Sequence, residues 1–391
     1  MKRKFMTILA VAATLAATAQ TSFQPVITSV LTNNGEVNAA IATQEATLAG
    51  ARAENTLPGA EIEGEHLWGE NGSGNRYSVG VSQEFEMPWV YSARRGAINA
   101  QAQAIDYAKA AIWADKALAV KQLIIDIINA KQRLAFYVEL GQNLAKIDSL
   151  TRRSFELGNA TVLDVRKLQL SILDNDRSID ACRADLASLQ ASLRAQGADF
   201  NADAPIWDAY PVQTLTAAST NPEDYYQYHL GRLNAQSAQY QASAVRRQAW
   251  PTLALGYQFS YEDHTNFHGL TVTLRLPSYS QRQRRLAADY EAQAIVSQYD
   301  FELTQAMSEA AGEAAAAQAL QRSIDQYAEL SGDTSYLDLL HKAFLGGELS
   351  VIDYLNEVNL FKTARLSFID LDYRYQLSLA RLNRYRSLDF N

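Results

Sequence analysis

The residue types in this sequence that are best suited to chemistry are five histidines and a single cysteine. The histidines are scattered: His66, His229, His264, His268 and His341. Only His264 and His268 lie close together, and with the adjacent Asp263 they could form a three-ligand metal site. Two histidines around a short loop are more commonly polar loop residues, so we predict no metal site. No serine lies in a nucleophile elbow and no glycine loop could cradle a phosphate, so we predict neither an enzyme nor a cofactor.

The first residues have the pattern of a secretory signal peptide. A basic stretch, Lys2–Lys4, precedes an apolar stretch from Phe5 to about Ala17, and residues 17–19 (Ala-Thr-Ala) form an A-x-A cleavage signal. We expect residues 1–19 to be removed, and a transmembrane anchor is the alternative. With Cys182 as the only cysteine, no intrachain disulfide can form. The net charge of −8 argues against nucleic acid as a partner.

Prolines divide the chain into segments. None of the eight prolines occurs from Trp89 to Ala204 or from Ser278 to the C-terminus. Both stretches are rich in Ala, Leu, Gln, Glu, Lys and Arg, the residues with high helix propensity. They therefore predict helices longer than those of ordinary globular domains, as in coiled coils.

The chain also contains an internal repeat. Residues 153–164 (RSFELGNATVLD) align with residues 342–353 (KAFLGGELSVID). In each copy a glycine ends one long helix, and a Thr or Ser three residues later caps the next helix. This pattern predicts a tight helix–helix turn.

The helices after the two turns have matching apolar patterns, with alternating steps of four and three residues. The first series is Ile172, Asn175, Ile179, Cys182, Leu186, Leu189 and Leu193, and the second is Phe361, Ala364, Phe368, Leu371, Tyr375, Ser378 and Leu382. A sustained period of 3.5 residues indicates a coiled-coil seam. Cys182 is then a small hydrophobic residue in that seam, not a reactive thiol.

Two β-hairpins are predicted, each bracketed by prolines. After the signal peptide 1–19, the chain then consists of two copies of one plan, joined by a linker at 200–222. The first repeat, 20–199, is expected to contain a helix, hairpin 58–87, long helix 89–156, turn 157–161 and helix 162–199. The second repeat, 223–391, is expected to contain a helix, hairpin 251–276, long helix 280–345, turn 346–350 and helix 351–388.

Residues in the hairpin strands alternate between apolar and polar. The predicted polar face includes five glutamates: Glu61, Glu63, Glu65, Glu84 and Glu86. Aromatic residues mark the strand ends: Trp68, Tyr77 and Tyr261 at the loops, Trp89 and Trp250 at the helices. This is the pattern of a membrane barrel wall with a polar interior and aromatic girdles. The alternative is a soluble β-sandwich whose apolar face packs on a core.

Four strands are too few to close a barrel, because the smallest filled barrels have about eight. Several chains would therefore have to contribute strands. Basic residues cluster where the helices meet the hairpins: Arg52, Arg94, Arg95, Arg246, Arg247, Arg282, Arg284 and Arg285. They form either a solvated helix face or a surface for phosphate headgroups of the inner leaflet, and the sequence does not decide between the two.

The duplicated hairpin-and-long-helix plan, with Phe-x-x-Gly turns that lead to Val-Leu/Ile-Asp, resembles the TolC-like outer-membrane efflux proteins. Residues 84–89 (EFEMPW), before the first long helix, resemble the heavy-metal-efflux branch. The resemblance implies a mainly α-helical protomer whose two β-hairpins form one third of a trimeric 12-stranded outer-membrane barrel. It also implies a non-enzymatic exit duct in the Gram-negative outer membrane that reaches into the periplasm. The implied partners are an adaptor (membrane fusion protein), an inner-membrane transporter of RND or ABC type, and lipid.

By the same resemblance, the helix turns would close the periplasmic end. The implied gate positions are Asp164, Asp353, Asn356 and Glu357, and the implied adaptor-docking positions are Leu157, Gly158, Thr161, Gly346, Gly347 and Ser350. Where family members can carry a basic gate residue, this chain has Leu349. The alternative role of the two aspartates is that of acids in the first turn of a helix, where the dipole favours them.

Two other functions fit parts of the sequence. One is a structural coiled-coil spacer or adhesin, which would not need paired tips, and the other is a periplasmic adaptor, which would carry one helical hairpin instead of two. The sequence does not name a cargo, since metals, drugs, bile salts and polypeptides all leave through ducts of this design.

Overall fold

A computed structural model describes residues 23–69, 74–202, 204, 207–211, 215–262, 264–277, 279–331 and 335–384. The predicted signal peptide at 1–19 lies outside these residues, as does Asp263. No helix in the described ranges has the length and apolarity needed to cross a membrane.

Long helices dominate the chain. Their bounds are α1 Gln24–Asn33, α2 Gly35–Glu54, α3 Pro88–Glu156, α4 Val162–Ala195, α5 Tyr226–Arg247, α6 Gln281–Ser331, α7 Ser335–Leu345 and α8 Val351–Arg384. The longest, α3, has 69 residues. It begins at a proline, which suits the first turn because that position needs no hydrogen-bonded N–H group.

The helix boundaries differ from the predicted segments at two places. Asn34 separates α1 from α2 because its backbone is extended, and its side-chain oxygen accepts the N–H of Val37 at 3.1 Å. The side chain thereby caps α2. The sequence predicted a single helix where the structure has α1 and α2. The predicted long helix 280–345 is described as α6 and α7, with residues 332–334 between them outside the described ranges.

The strands are β1 Glu61–Leu67, β2 Arg76–Phe85, β3 Thr252–Glu262 and β4 Thr265–Arg275. All neighbours are antiparallel and follow the order β1-β2-β3-β4. The two hairpins are joined because β2 pairs with β3, with Val81 opposite Tyr257 and Val79 opposite Phe259. The hairpins thus form one four-stranded sheet.

Contacts divide the chain into two compact units. Within the described ranges, the first comprises residues between 23–38, 113–220 and 307–384, and the second comprises residues between 39–112 and 221–306. The second unit contains the sheet and an alanine cluster of Ala238, Ala242 and Ala292. Small side chains there let α5 and α6 approach closely.

The first unit has the larger core, in two main clusters. One surrounds Leu168, Ile147 and Tyr354, and the other contains Ile127 and Trp207. Trp207 lies in the predicted linker, yet it is almost fully buried, and its indole N–H donates to the carbonyl of Asn201 at 2.9 Å. This segment therefore contributes to the core and does more than connect the two repeats.

The seam predicted from the period of 3.5 residues is present in α4 and α8. Every residue of the two series is buried or half-buried. Cys182 is buried in this seam, and its desolvation raises the pKa of the thiol. A buried thiol with a raised pKa suits the predicted packing role.

Candidate functional site: two helix turns and a two-faced sheet

The two predicted turns have the same backbone structure. Gly158 and Gly347 both adopt left-handed backbone angles, with φ of 77° and 74°. The N–H of Gly158 donates to the carbonyl of Phe155 at 2.9 Å, and the N–H of Gly347 donates to that of Phe344 at 3.1 Å. The residue after each glycine donates to a carbonyl five positions back, at 2.8 and 3.0 Å. Both turns are therefore Schellman motifs, which use carbonyls that the helix end leaves free.

The aspartates predicted as gate residues cap the helices that follow. The Asp164 carboxylate accepts the N–H of Thr161 at 2.9 Å and its hydroxyl at 2.7 Å, and the Thr161 hydroxyl accepts the N–H of Asp164 at 3.2 Å. In the second turn the Ser350 hydroxyl donates to Asp353 at 2.6 Å and accepts its N–H at 3.2 Å. The side-chain and backbone hydrogen bonds from Thr161 lower the pKa of Asp164, so it stays ionised at neutral pH.

These contacts support the alternative role of both aspartates as first-turn acids. They do not exclude a second role, because the hydrogen bonds engage only the Oδ2 atom of each carboxylate. The role of Asp164 and Asp353 in a gate stays a prediction.

The two other predicted gate residues lie in different settings. Asn356 is exposed, whereas Glu357 is half-buried and accepts the Tyr336 hydroxyl at 2.9 Å. Burial, and then this hydrogen bond, raise the pKa of Tyr336. Glu357 therefore holds α7 against α8, a contact that the sequence did not predict.

The predicted docking residues form an exposed tip at each turn. Leu157, Gly158 and Thr161 are exposed in the first turn, as are Gly346, Gly347 and Ser350 in the second. Beneath the second tip, the buried Tyr354 donates to Asn143 and packs 5.5 Å from the ring of Phe344. The exposed residues of the second turn therefore lie next to well-packed side chains of the adjoining helices.

An ion pair farther along the helices links α4 to α8. The Lys362 ammonium lies 2.9 Å from the Asp174 carboxylate and 5.6 Å from the centre of the Tyr137 ring. The hydrogen bond and charge of Lys362 lower the pKa of Asp174. The sequence did not predict this pair, because its members lie 188 positions apart.

The apolar face of the sheet is exposed. Cross-strand pairs place apolar side chains on one face, among them Ile62 beside Val81 and Leu255 beside Val272. Ile62 is 77% exposed and Leu270 is 85% exposed. The described residues contain no second sheet that could cover this face, so the sandwich alternative is not supported.

The polar face carries the five predicted glutamates in two groups. Glu84 pairs with Arg275 at 3.0 Å and accepts the Thr252 hydroxyl at 2.8 Å, while Glu86 accepts Arg94 at 3.0 Å. Glu61, Glu63 and Glu65 lie on the edge strand and are exposed. Of these three, Glu65 accepts a weak hydrogen bond from Ser78 at 3.3 Å.

The predicted interface aromatics lie at the two ends of the sheet. Trp89 and Trp250 meet edge to face at 5.5 Å, next to the starts of α3 and β3. At the other end Tyr77 is the cross-strand partner of Tyr261, and Trp68 is 75% exposed. This is the separation that a pair of aromatic girdles requires.

The histidines in and next to the hairpin loop bind separate tyrosines. The Tyr261 hydroxyl lies 3.2 Å from Nδ1 of His264, and the Tyr257 hydroxyl contacts Nδ1 of His268. The described ranges contain no cluster of three metal-ligating side chains, although Asp263 lies outside them.

A cluster of half-buried carboxyls in the first unit was missed by the sequence analysis. The Tyr373 hydroxyl donates to Asp126 at 2.8 Å, and Gln376 donates to Asp372 at 3.2 Å. Burial raises the pKa of both carboxyls. Burial, and then the charges of Asp372 and Asp126, also raise the pKa of Tyr210. Spacing along the chain could not have shown that α3, α8 and the linker meet here.

This cluster should make the stability of the protein depend on pH. A carboxyl with a raised pKa stabilises the fold fully below its usual pKa of about 4, and the stabilisation is lost as pH rises through the raised value. Carboxyls with a lowered pKa, such as Asp164 and Asp174, have the opposite effect, so the comparison is with a variant. As pH falls toward that range, we expect the thermal unfolding temperature of the unaltered protein to rise relative to that of Asp126→Asn. The exposed Asp176→Asn is the matched control. Equal slopes for the two variants would contradict the assignment.

The fold is that of the TolC-like outer-membrane channels, which confirms the predicted resemblance and the predicted class of long helices with two β-hairpins. The CmeC outer-membrane channel of Campylobacter jejuni superposes with a TM-score of 0.77 and 15% identity over 94% of this chain and 87% of that one. The MtrE outer-membrane channel of Neisseria gonorrhoeae superposes with a TM-score of 0.76 and 17% identity over 93% of this chain and 88% of that one. CusC superposes with a TM-score of 0.75 and 17% identity over 92% of this chain and 90% of that one.

At these identities the likeness is one of fold. No protein-family model and no curated protein matches the sequence. The solved structures do not single out the heavy-metal-efflux branch, which stays a prediction.

Proposed function

We propose that this chain is one protomer of a trimeric outer-membrane exit duct that passively conducts substrates from an inner-membrane transporter. The carrying observation is the sheet, whose apolar face is exposed while its opposite face is polar and charged. Apolar area of that kind is stable against hydrocarbon and costly in water. The solved structures of similar fold include outer-membrane channels, which supports the same location for this chain.

The edges of the sheet support assembly with other copies of the chain, and the number three comes from the resemblance. Strands β1 and β4 are the two ends of the order, and each has one neighbouring strand among the described residues. Unpaired backbone groups in hydrocarbon cost several kcal/mol each, roughly, so the edges must pair with other copies. Three copies of four strands would give the 12-stranded barrel of the resemblance, with Glu61, Glu63 and Glu65 toward its lumen.

Membrane fractionation and electrophoresis test this proposal. We expect the full-length protein in the outer-membrane fraction, as an oligomer that resists SDS and dissociates on heating. A stable monomer in the soluble periplasmic fraction would refute it. Reconstituted protein should also conduct ions in a planar bilayer.

The proposed partners of the duct are a periplasmic adaptor at the two exposed tips and a transporter of RND or ABC type behind it. Two tips of the same backbone geometry on one chain support a docking role, since a simple spacer would not need them. The cargo stays open among metals, drugs, bile salts and polypeptides.

We also propose that the Asp174–Lys362 pair helps to hold the periplasmic end closed. A partly exposed pair is worth roughly 0.2–1 kcal/mol, so Asp174→Asn should raise the open probability in a bilayer recording by at most about fivefold for each of the three pairs in the trimer. The exchange Asp174→Lys with Lys362→Asp restores the attraction and is the matched control. An exchange variant as leaky as Asp174→Asn would show that the charge pairing is not what matters.

A further inference from the structure

The start of α6 concentrates positive charge. Arg282, Arg284 and Arg285 lie within its first five residues, all three are exposed, and the first turn has no acidic residue. The helix dipole makes an N-terminus positive, so cations there are unfavourable unless an anion lies nearby. A negatively charged group close to these three arginines would therefore be favourable.

That partner is not found within the described residues. Three other basic residues near this end of the sheet have partners of their own: Arg94 pairs with Glu86, Arg246 with Asp289 at 3.4 Å, and Arg247 donates to the Trp89 carbonyl at 2.9 Å. In the ranges that the structure describes, no carboxylate lies within ion-pair distance of the three arginines of α6.

The surroundings of these arginines are apolar and exposed. Leu276 and Tyr279, which connect β4 to α6, are 71% and fully exposed. Trp250 lies at the same end of the sheet, because β3 begins where its partner β4 ends and Thr252 pairs with Arg275. Basic side chains beside exposed leucine and aromatic residues are typical of a membrane–water interface.

We propose that Arg282, Arg284 and Arg285 bind the phosphate groups of anionic glycerophospholipids in the periplasmic leaflet of the outer membrane. This inference rests on the proposed function, which places the sheet in that membrane with the helices on its periplasmic side. Guanidinium groups bind phosphate through paired N–H donors, and the surface continues the apolar face of the sheet. The alternative of a merely solvated helix face leaves the unfavourable charge at the helix start without a partner.

Reconstitution of the full-length protein tests the proposal. The probes are vesicles of phosphatidylcholine alone and of phosphatidylcholine with phosphatidylglycerol. Each basic residue near an anionic surface is worth about 1 kcal/mol, or roughly a fivefold preference. Because three such factors multiply, we expect the triple variant Arg282→Gln, Arg284→Gln, Arg285→Gln to lose on the order of a hundredfold in its preference for the anionic vesicles.

Two further variants make the result specific. The control is the triple variant Arg177→Gln, Arg183→Gln, Arg322→Gln, which removes the same charge from exposed positions of the first unit. It should keep the preference for the anionic vesicles. The triple lysine variant of Arg282, Arg284 and Arg285 keeps the charge and should retain most of the preference for the anionic vesicles. It provides a second test should the glutamine variant fail to fold. Equal loss in the glutamine variant of α6 and in the control variant of the first unit would overturn the proposal. So would insertion of the unaltered protein into both vesicles without preference, whereas insertion into neither would contradict the proposed function itself.

Discussion

Val272→Arg is expected to abolish accumulation of the protein in the outer membrane. Val272 lies on the apolar face of β4, opposite Leu255, and is largely exposed. An arginine that faces lipid near the middle of a barrel costs about 2–4 kcal/mol, and each trimer would carry three of them. The measurement is the amount of SDS-resistant oligomer in the outer-membrane fraction, compared with the unaltered protein.

The neighbouring residue provides the matched control. Thr273 follows Val272 on the same strand, is exposed, and lies on the opposite, polar face. Thr273→Arg introduces the same side chain at the same depth, so only the face differs. We expect it to assemble normally. Equal accumulation of the two variants would show that the sheet does not face lipid as proposed.

Gly347→Val is expected to stop export without lowering the amount of assembled channel. The φ of 74° at Gly347 lies in the left-handed region, where a β-branched residue costs about 1–3 kcal/mol. The Schellman turn would have to rearrange, which would move the tip at Ser350 that the adaptor is proposed to contact. The assay is efflux of a transported compound from cells, together with co-purification of the adaptor.

Two other glycine variants separate strain from a general effect of substitution. Gly50 lies in α2 with open space around its missing Cβ, so Gly50→Val should export normally. Asparagine tolerates the left-handed region, so Gly347→Asn should keep the turn and lose less export than the valine variant. Full export by Gly347→Val would remove the docking role of this turn.

Local features of the fold were predictable from the sequence because they depend on neighbouring residues. The turn at Gly347 and the cap by Ser350 follow from a short motif, and the two faces of the sheet follow from strict alternation. The seam through Cys182 follows from a period of 3.5 residues. The break at Asn34 was missed although Asn33-Asn34-Gly35 is a local turn signal, because the whole segment before the first hairpin was interpreted as one helix.

Chain pairing at long range was decided only by the tertiary structure. The sequence predicted two hairpins, but their union through β2 and β3 depends on residues some 180 positions apart, for example Val79 and Phe259. The same holds for the Asp174–Lys362 pair, because charge alone does not show which of the chain's many acidic and basic residues meet.

The sequence by itself therefore determined the elements of this protein: long helices, capped glycine turns and strands with one apolar and one polar face. Their periods and caps are properties of a few consecutive residues. Only the tertiary structure decided which side chains pair across the chain, such as Asp174 with Lys362 and Glu84 with Arg275, and which remain exposed. Partners are set by packing between distant segments, and no local pattern encodes that.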